Sequence, residues 1–110
     1  MIIDFNEIQE VANPQFKGGE GVTLFRTFYD GMNKIMRGRL DVGCSIGYHT
    51  HETNSEIMYI ISGEGRCITD EGEELLTAGM SQYCAKGHGH GLRNNSATEP
   101  LIFFAVVTES

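Results

Sequence analysis

Three histidines and one glutamate in this chain are spaced so that they could share one metal ion. Gly43 is followed by His49 and His51, then by Glu56 and Gly63; further on, Gly79 leads to Gly87, His90 and Asn94. Imidazole nitrogens and carboxylate oxygens are donors that divalent first-row metals accept. Three neutral imidazoles and one carboxylate leave a net charge of about +1 on a divalent ion, and six-coordinate geometry keeps about two positions open for water or substrate. Closed structural zinc sites more often draw on cysteine, and Cys44, Cys67 and Cys84 have no CxxC spacing. His88 reads as a loop or supporting residue rather than a ligand, and Glu52 as solvated.

These side chains need particular elements to position them. On a strand, residues two apart point the same way, so His49 and His51 form a chelating pair only if their segment is extended. Glu56 has the wrong parity to continue that strand. The polar stretch Glu52 to Ser55 can reverse the chain, and an antiparallel neighbour would then set Glu56 beside the two imidazoles. The glycine-rich run Gly87 to Gly91 reads as a bend that aims His90 inward. With Glu56 inward, Met58 and Ile60 follow it, while Ile57, Tyr59 and Ile61 face the other side. The result is an apolar pocket with a metal at one end. Candidate substrate-binding residues are Met58, Ile60 and Arg26, whose guanidinium can clamp a carboxylate bidentately. Tyr29, Tyr48, Tyr83 and Arg93 are further orienting candidates; Arg37 and Arg39 share the face opposite Met36 and Leu40, and Tyr48 falls on the outside.

Fourteen glycines punctuate the chain at short intervals. Between them, residues 21–29, 34–42, 56–61, 66–69, 73–77, 80–84 and 101–108 read as strands, and Asp30-Gly31 and Glu71-Gly72 as tight turns. Many short strands with frequent turns indicate an all-β sandwich or barrel. Only Asn6 to Val11 has a weak helical pattern. The last strand, Leu101 to Val107, is apolar on both faces, whereas a strand with one wet face alternates. A second subunit is the simplest cover, which predicts a homodimer; the competing cover is the chain's own N-terminal extension, residues 1–19, leaving 20–110 as the barrel domain.

A chain of 110 residues is one domain with room for a single core. Its formal net charge of −7 disfavours nucleic acid and anionic membrane surfaces. It does not disfavour a small anionic ligand, because a metal sets the field in its own pocket. Three cysteines form no disulfide framework and read as small buried hydrophobes. Met1 to Glu10 holds three acids and no base, unlike a signal peptide. No apolar run approaches the roughly 20 residues that span a bilayer. A cytoplasmic protein with reduced thiols is the expectation.

The run Gly43-Cys44-Ser45-Ile46-Gly47-Tyr48-His49-Thr50-His51, with Glu56 and Gly63, resembles the first cupin motif at each spaced position. Gly79, Gly87, His90 and Asn94 resemble the second, with Ala85 standing where that motif usually has proline. The resemblance covers about residues 20 to 108. It implies a small six- to eight-stranded antiparallel β-barrel, a double-stranded β-helix of jelly-roll type, with His49, His51, Glu56 and His90 at the positions of the cupin metal ligands. The ion in such proteins is manganese, iron, zinc, nickel or another divalent metal. The chain looks most like short single-domain bacterial cupins, some of them compared with oxalate decarboxylases or sugar-phosphate isomerases. A metal-dependent enzyme acting on a small carboxylate-bearing or sugar-like molecule, such as a decarboxylase, dioxygenase or isomerase, is therefore expected. The ion would act as a Lewis acid, or activate dioxygen if it is iron. The alternative is a metabolite-binding or sensing module without turnover. No Ser-His-Asp set offers a rival mechanism.

Overall fold

Alternating polar and apolar residues in short, glycine-bounded runs give ten strands in the computed structural model, which describes residues 1–109. They are β1 (Val11–Pro14), β2 (Val22–Tyr29), β3 (Asn33–Leu40), β4 (Ser45–Thr50), β5 (Asn54–Ser62), β6 (Glu64–Thr69), β7 (Gly72–Thr77), β8 (Ser81–Cys84), β9 (Gly89–Asn94) and β10 (Leu101–Glu109). All pairings are antiparallel. One sheet has the order β1-β2-β3-β10-β5-β8 and the other β4-β9-β6-β7. The jelly-roll layout is the one expected, but the two sheets do not join into a continuously hydrogen-bonded barrel.

The core lies between the sheets. The larger sheet sends in Phe25, Met36, Leu40, Met58, Ile60, Leu101, Phe103 and Ala105, and the smaller sends in Ile46, Cys67, Leu76 and Leu92. β5 shows the period-two rule along its length: Glu56, Met58 and Ile60 are buried, while Ile57 and Tyr59, and then Ile61, are exposed. A fully buried side chain such as Ile60 or Phe103 contributes about 1.5–3 kcal/mol through burial.

Two expectations change. The weak helical pattern at Asn6 to Val11 becomes only a 3-10 turn, Phe5–Glu7, capped by Asp4 Oδ1 accepting from the Asn6 amide at 3.0 Å. The segment is too short for an isolated helix, and Val11 instead pairs with Phe25 at the sheet edge. Secondly, β10 lies inside the larger sheet, between β3 and β5. Its outward residues Ile102, Phe104 and Val106 stay half-buried. Phe5 packs edge-on against Phe104 with ring centroids 5.9 Å apart, so the chain's own N-terminal segment supplies part of the outer cover. No helix among the described residues is long and apolar enough to cross a membrane.

Candidate metal centre

β4 and β9 are neighbours, and their register sets His49 directly opposite His90. His51 follows the end of β4; its amide donates to the His88 carbonyl at 2.9 Å and its carbonyl accepts from Gly87 N–H at 2.7 Å. Glu56 comes from β5 in the other sheet. It therefore reaches the imidazoles across the gap between layers, and the hydrogen-bonded neighbour of the His49 strand is the His90 strand rather than the Glu56 strand. The centre closes because the two layers face each other, a relationship that turn reading between β4 and β5 does not reveal.

The glycine-rich segment also differs from its expected bend. Gly89–Asn94 is a regular strand, and the turn falls earlier, at Lys86 and Gly87. Glycine at 89 answers a close approach instead: a Cβ there would run into the Tyr48 ring.

One donor atom from each of His49, His51, Glu56 and His90 lies within 4.8 Å of the others. Glu56 Oε1 is 2.8 Å from His90 Nε2 and 3.1 Å from His51 Nε2, and those two nitrogens are 3.1 Å apart. His51, Glu56 and His90 are buried and His49 is half-buried.

The other ring nitrogen of each imidazole is tied down. His49 Nδ1 donates to the Gly47 carbonyl at 2.8 Å, His51 Nδ1 to Asn54 Oδ1 at 2.5 Å, and His90 Nδ1 to Gln82 Oε1 at 2.8 Å. The amide orientations agree: Asn54 Nδ2 donates to Glu109 Oε1 at 3.4 Å, and Gln82 Nε2 to the Tyr83 carbonyl at 3.1 Å. Each neutral ring then turns its Nε2 lone pair toward the common centre. Lone pairs and a carboxylate crowded this closely repel one another unless protons or a cation intervene. Bonds of about 2.1 Å at right angles give ligand-to-ligand edges of about 3.0 Å, close to those among His51, Glu56 and His90. The donor set fits a divalent ion.

Without an ion, protons on Nε2 take its place at the centre. Burial alone would raise the Glu56 carboxyl, but hydrogen bonds from His51 and His90 outweigh it and hold the group at about 2. The bond to Glu56 raises the His51 imidazole. Burial lowers His49, favouring the neutral form that binds metals.

Beside the centre is a cavity of about 170 Å³ walled by Phe16, Phe25, Met36, Met58, Leu92 and Val107. Of the three candidate substrate contacts, Met58 lines it. Ile60 lies farther along β5, fully buried in the core and off the cavity wall. Arg26 is on the outer face, because Phe25 takes the inward position. Its Nη1 donates to the Phe5 and Ile8 carbonyls at 3.2 and 2.6 Å, in a depression shared with Arg37 and Arg39. Tyr29, Tyr48, Tyr83 and Arg93 do not line the cavity. His88 Nδ1 meets Asp70 Oδ2 at 2.9 Å in an exposed pair.

Sequence reading missed Lys17 and Lys34 on the cavity wall, and Asn54 and Gln82 behind the imidazoles. Lys34 was findable, since it shares the inward parity of Met36 and Leu40. So was Gln82, a polar residue in step with buried Cys84. Lys17 was not: it sits in a loop where Gln15 and Lys17 both take left-handed backbone, φ 50° and 54°.

A family model described as "Cupin domain" matches residues 36–107. A protein of Thermotoga maritima called "Oxalate-binding protein" is 29% identical over 114 residues, covering 97% of this chain and 93% of its own. A Thermotoga maritima crystal structure described as a "predicted oxalate decarboxylase" superimposes with a TM-score of 0.93 at 26% identity, over 100% of both chains. A Silicibacter pomeroyi structure described as a sugar phosphate isomerase from a cupin superfamily shares the fold, with a TM-score of 0.79 at 17% identity over 100% of this chain and 76% of that one. The family model spans most of the strands that build the centre, including all four of its donor residues, and the chain belongs to the cupin family.

Proposed function

We propose that this cupin holds one divalent ion through His49, His51, Glu56 and His90 and acts as an enzyme on a small carboxylate-bearing molecule in the adjoining cavity. The convergence of three imidazoles, each with Nδ1 already bonded to an oxygen, carries the reading. The names of the Thermotoga maritima relatives, which concern oxalate, support a small organic acid. Manganese, iron, zinc and nickel all suit the donors. Bound there, the ion supplies Lewis acidity toward ligand oxygens. Asn54 and Gln82 hold the rings, and the apolar wall excludes water from the ligand's body. Decarboxylation, dioxygenation and isomerisation are the candidate reactions.

Binding without turnover is the second reading. One observation favours it: among the described residues, and apart from the four donors, only Lys17 and Lys34 are ionisable on the cavity wall, so no separate carboxylic acid among them is placed to move a proton. The test is protein loaded with each metal and incubated with a panel of organic acids that includes oxalate. Product formation supports the enzyme, and saturable binding without product supports the second reading. His51→Ala should lose most of its metal by elemental analysis and keep its fold; full occupancy in that variant overturns the ligand assignment.

The outer face of the larger sheet favours a homodimer. Phe28, Ile35, Val106, Ile57 and Tyr83 stand in register across β2, β3, β10, β5 and β8, a continuous apolar row that a second copy would cover. Tyr59→Asp, beside that row, should give a monomer that still takes up metal, and light scattering reads the outcome. Three unpaired thiols suit the reducing cytoplasm.

A further inference from the structure

The inner face of the larger sheet carries a cation where an apolar residue would pack. In β3, Lys34 alternates inward with Met36 and Leu40; it pairs with Val107 of β10, which pairs with Glu56 of β5. Lys34 thus stands in the same cross-sheet row as the metal-centre carboxylate, two strand spacings away, or about 10 Å between Cα atoms. Lys17 reaches the same cavity from the loop Phe16–Gly18. That loop packs on β4: a Cβ at Gly47 would collide with the Lys17 carbonyl. Phe16 anchors the loop edge-on against Phe25, centroids 5.3 Å apart. Both lysines are exposed at the mouth.

Acidic residues outnumber lysine and arginine 15 to 8, yet among the described residues neither lysine is in an ion pair. Their ammonium groups approach rings instead, Lys17 Nζ 5.6 Å from the Phe16 centroid and Lys34 Nζ 5.8 Å from that of Tyr29. Two free cations in an acidic protein attract an anion from solution. The same cavity wall carries Phe25, Met36, Met58 and Val107, which offer no partner to a polar group. The cavity's volume of about 170 Å³ leaves room for a short aliphatic chain.

We propose that the ligand is a dianion whose two anionic groups are separated by an apolar spacer, one group at the His49–His51–Glu56–His90 centre and the other held by Lys17 and Lys34. This rests on the metal-centre reading above and deepens it. Oxalate, with adjacent carboxylates and no spacer, leaves the lysines and the apolar wall unused.

The experiment is calorimetric titration of metal-loaded protein with oxalate, succinate and glutarate, and with butyrate and valerate as length-matched monoanions. Succinate or glutarate should bind at least tenfold more tightly than its monoanion and more tightly than oxalate. Lys34→Met should cut that advantage several-fold. Lys17→Asn, which tolerates left-handed backbone, should do the same, and both variants should keep full metal content and unchanged butyrate affinity. An equal preference in wild type and both variants, tightest binding of oxalate, or no dicarboxylate binding overturns the proposal. Metal analysis of each sample separates the two levels. Protein that takes up no metal overturns the metal centre as well, whereas metal-loaded protein that binds monoanions without preferring dianions overturns the dianion alone.

Discussion

His90 Nδ1 donates to Gln82 Oε1 at 2.8 Å, and both side chains are buried. Gln82 cannot turn its nitrogen to the ring without losing its own bond to the Tyr83 carbonyl. The amide therefore fixes the His90 tautomer, leaving Nε2 free as a donor atom. Removing such a partner from a ligating histidine typically weakens metal binding about 10–100-fold. Gln82→Leu should show that loss in competition with a chromophoric chelator, with an unchanged circular dichroism spectrum. Wild-type affinity in the variant would show that packing alone orients the ring.

The same geometry marks what the sequence made legible. The pairing of His49 with His51 and the inward set Glu56, Met58 and Ile60 follow from parity, because alternation along a strand is local. Which strand lies opposite is not local. The expectation that Glu56 sits beside His49 on a neighbouring strand failed because β5 belongs to the other sheet. Arg26 was misjudged for a related reason: a guanidinium reads as a ligand clamp until Phe25 claims the inward position and the Phe5 and Ile8 carbonyls claim its donors. The loop carrying Lys17 needs two non-glycine residues in left-handed backbone, which residue preferences do not announce.

In metal-free protein, acid stability should depend on Glu56. Its carboxyl sits at about 2 against an ordinary value of 4.5. A depressed acid contributes stability that is full above its unfolded value and lost as pH falls through its folded value. The contribution thus disappears between about pH 4.5 and 2, and at about 1.4 kcal/mol per pH unit of displacement it is on the order of 3 kcal/mol. Thermal melts of metal-free wild type should fall across that window, and Glu56→Gln should show a much shallower decline. Parallel curves would place the acid sensitivity elsewhere.

The thiols should react in a defined order. Burial pushes Cys67 up to about 12 and Cys84 up to about 11, so almost no thiolate forms at either near neutral pH. Cys44 is half-buried. Iodoacetamide at pH 8 should modify Cys44 first in the native protein and reach the other two only on unfolding, as peptide mass mapping would show. Early modification of Cys67 would mean that the core between the sheets opens far more readily than its packing implies.

Gly47 links the metal centre to the cavity wall. Its carbonyl accepts from His49 Nδ1, while its missing side chain makes room for the backbone of Lys17, Gly18 and Gly19. A methyl group added here meets backbone rather than the end of a flexible side chain, so the loop must move. Overpacking of this kind costs about 1–3 kcal/mol. Gly47→Ala should release the loop Phe16–Gly18 from β4, speed tryptic cleavage after Lys17 and lower the melting temperature. Metal stoichiometry should persist, because His51, Glu56 and His90 draw on other partners. If cleavage after Lys17 is no faster in the variant, the loop does not lean on β4 in solution and cannot hold its lysine at the cavity mouth.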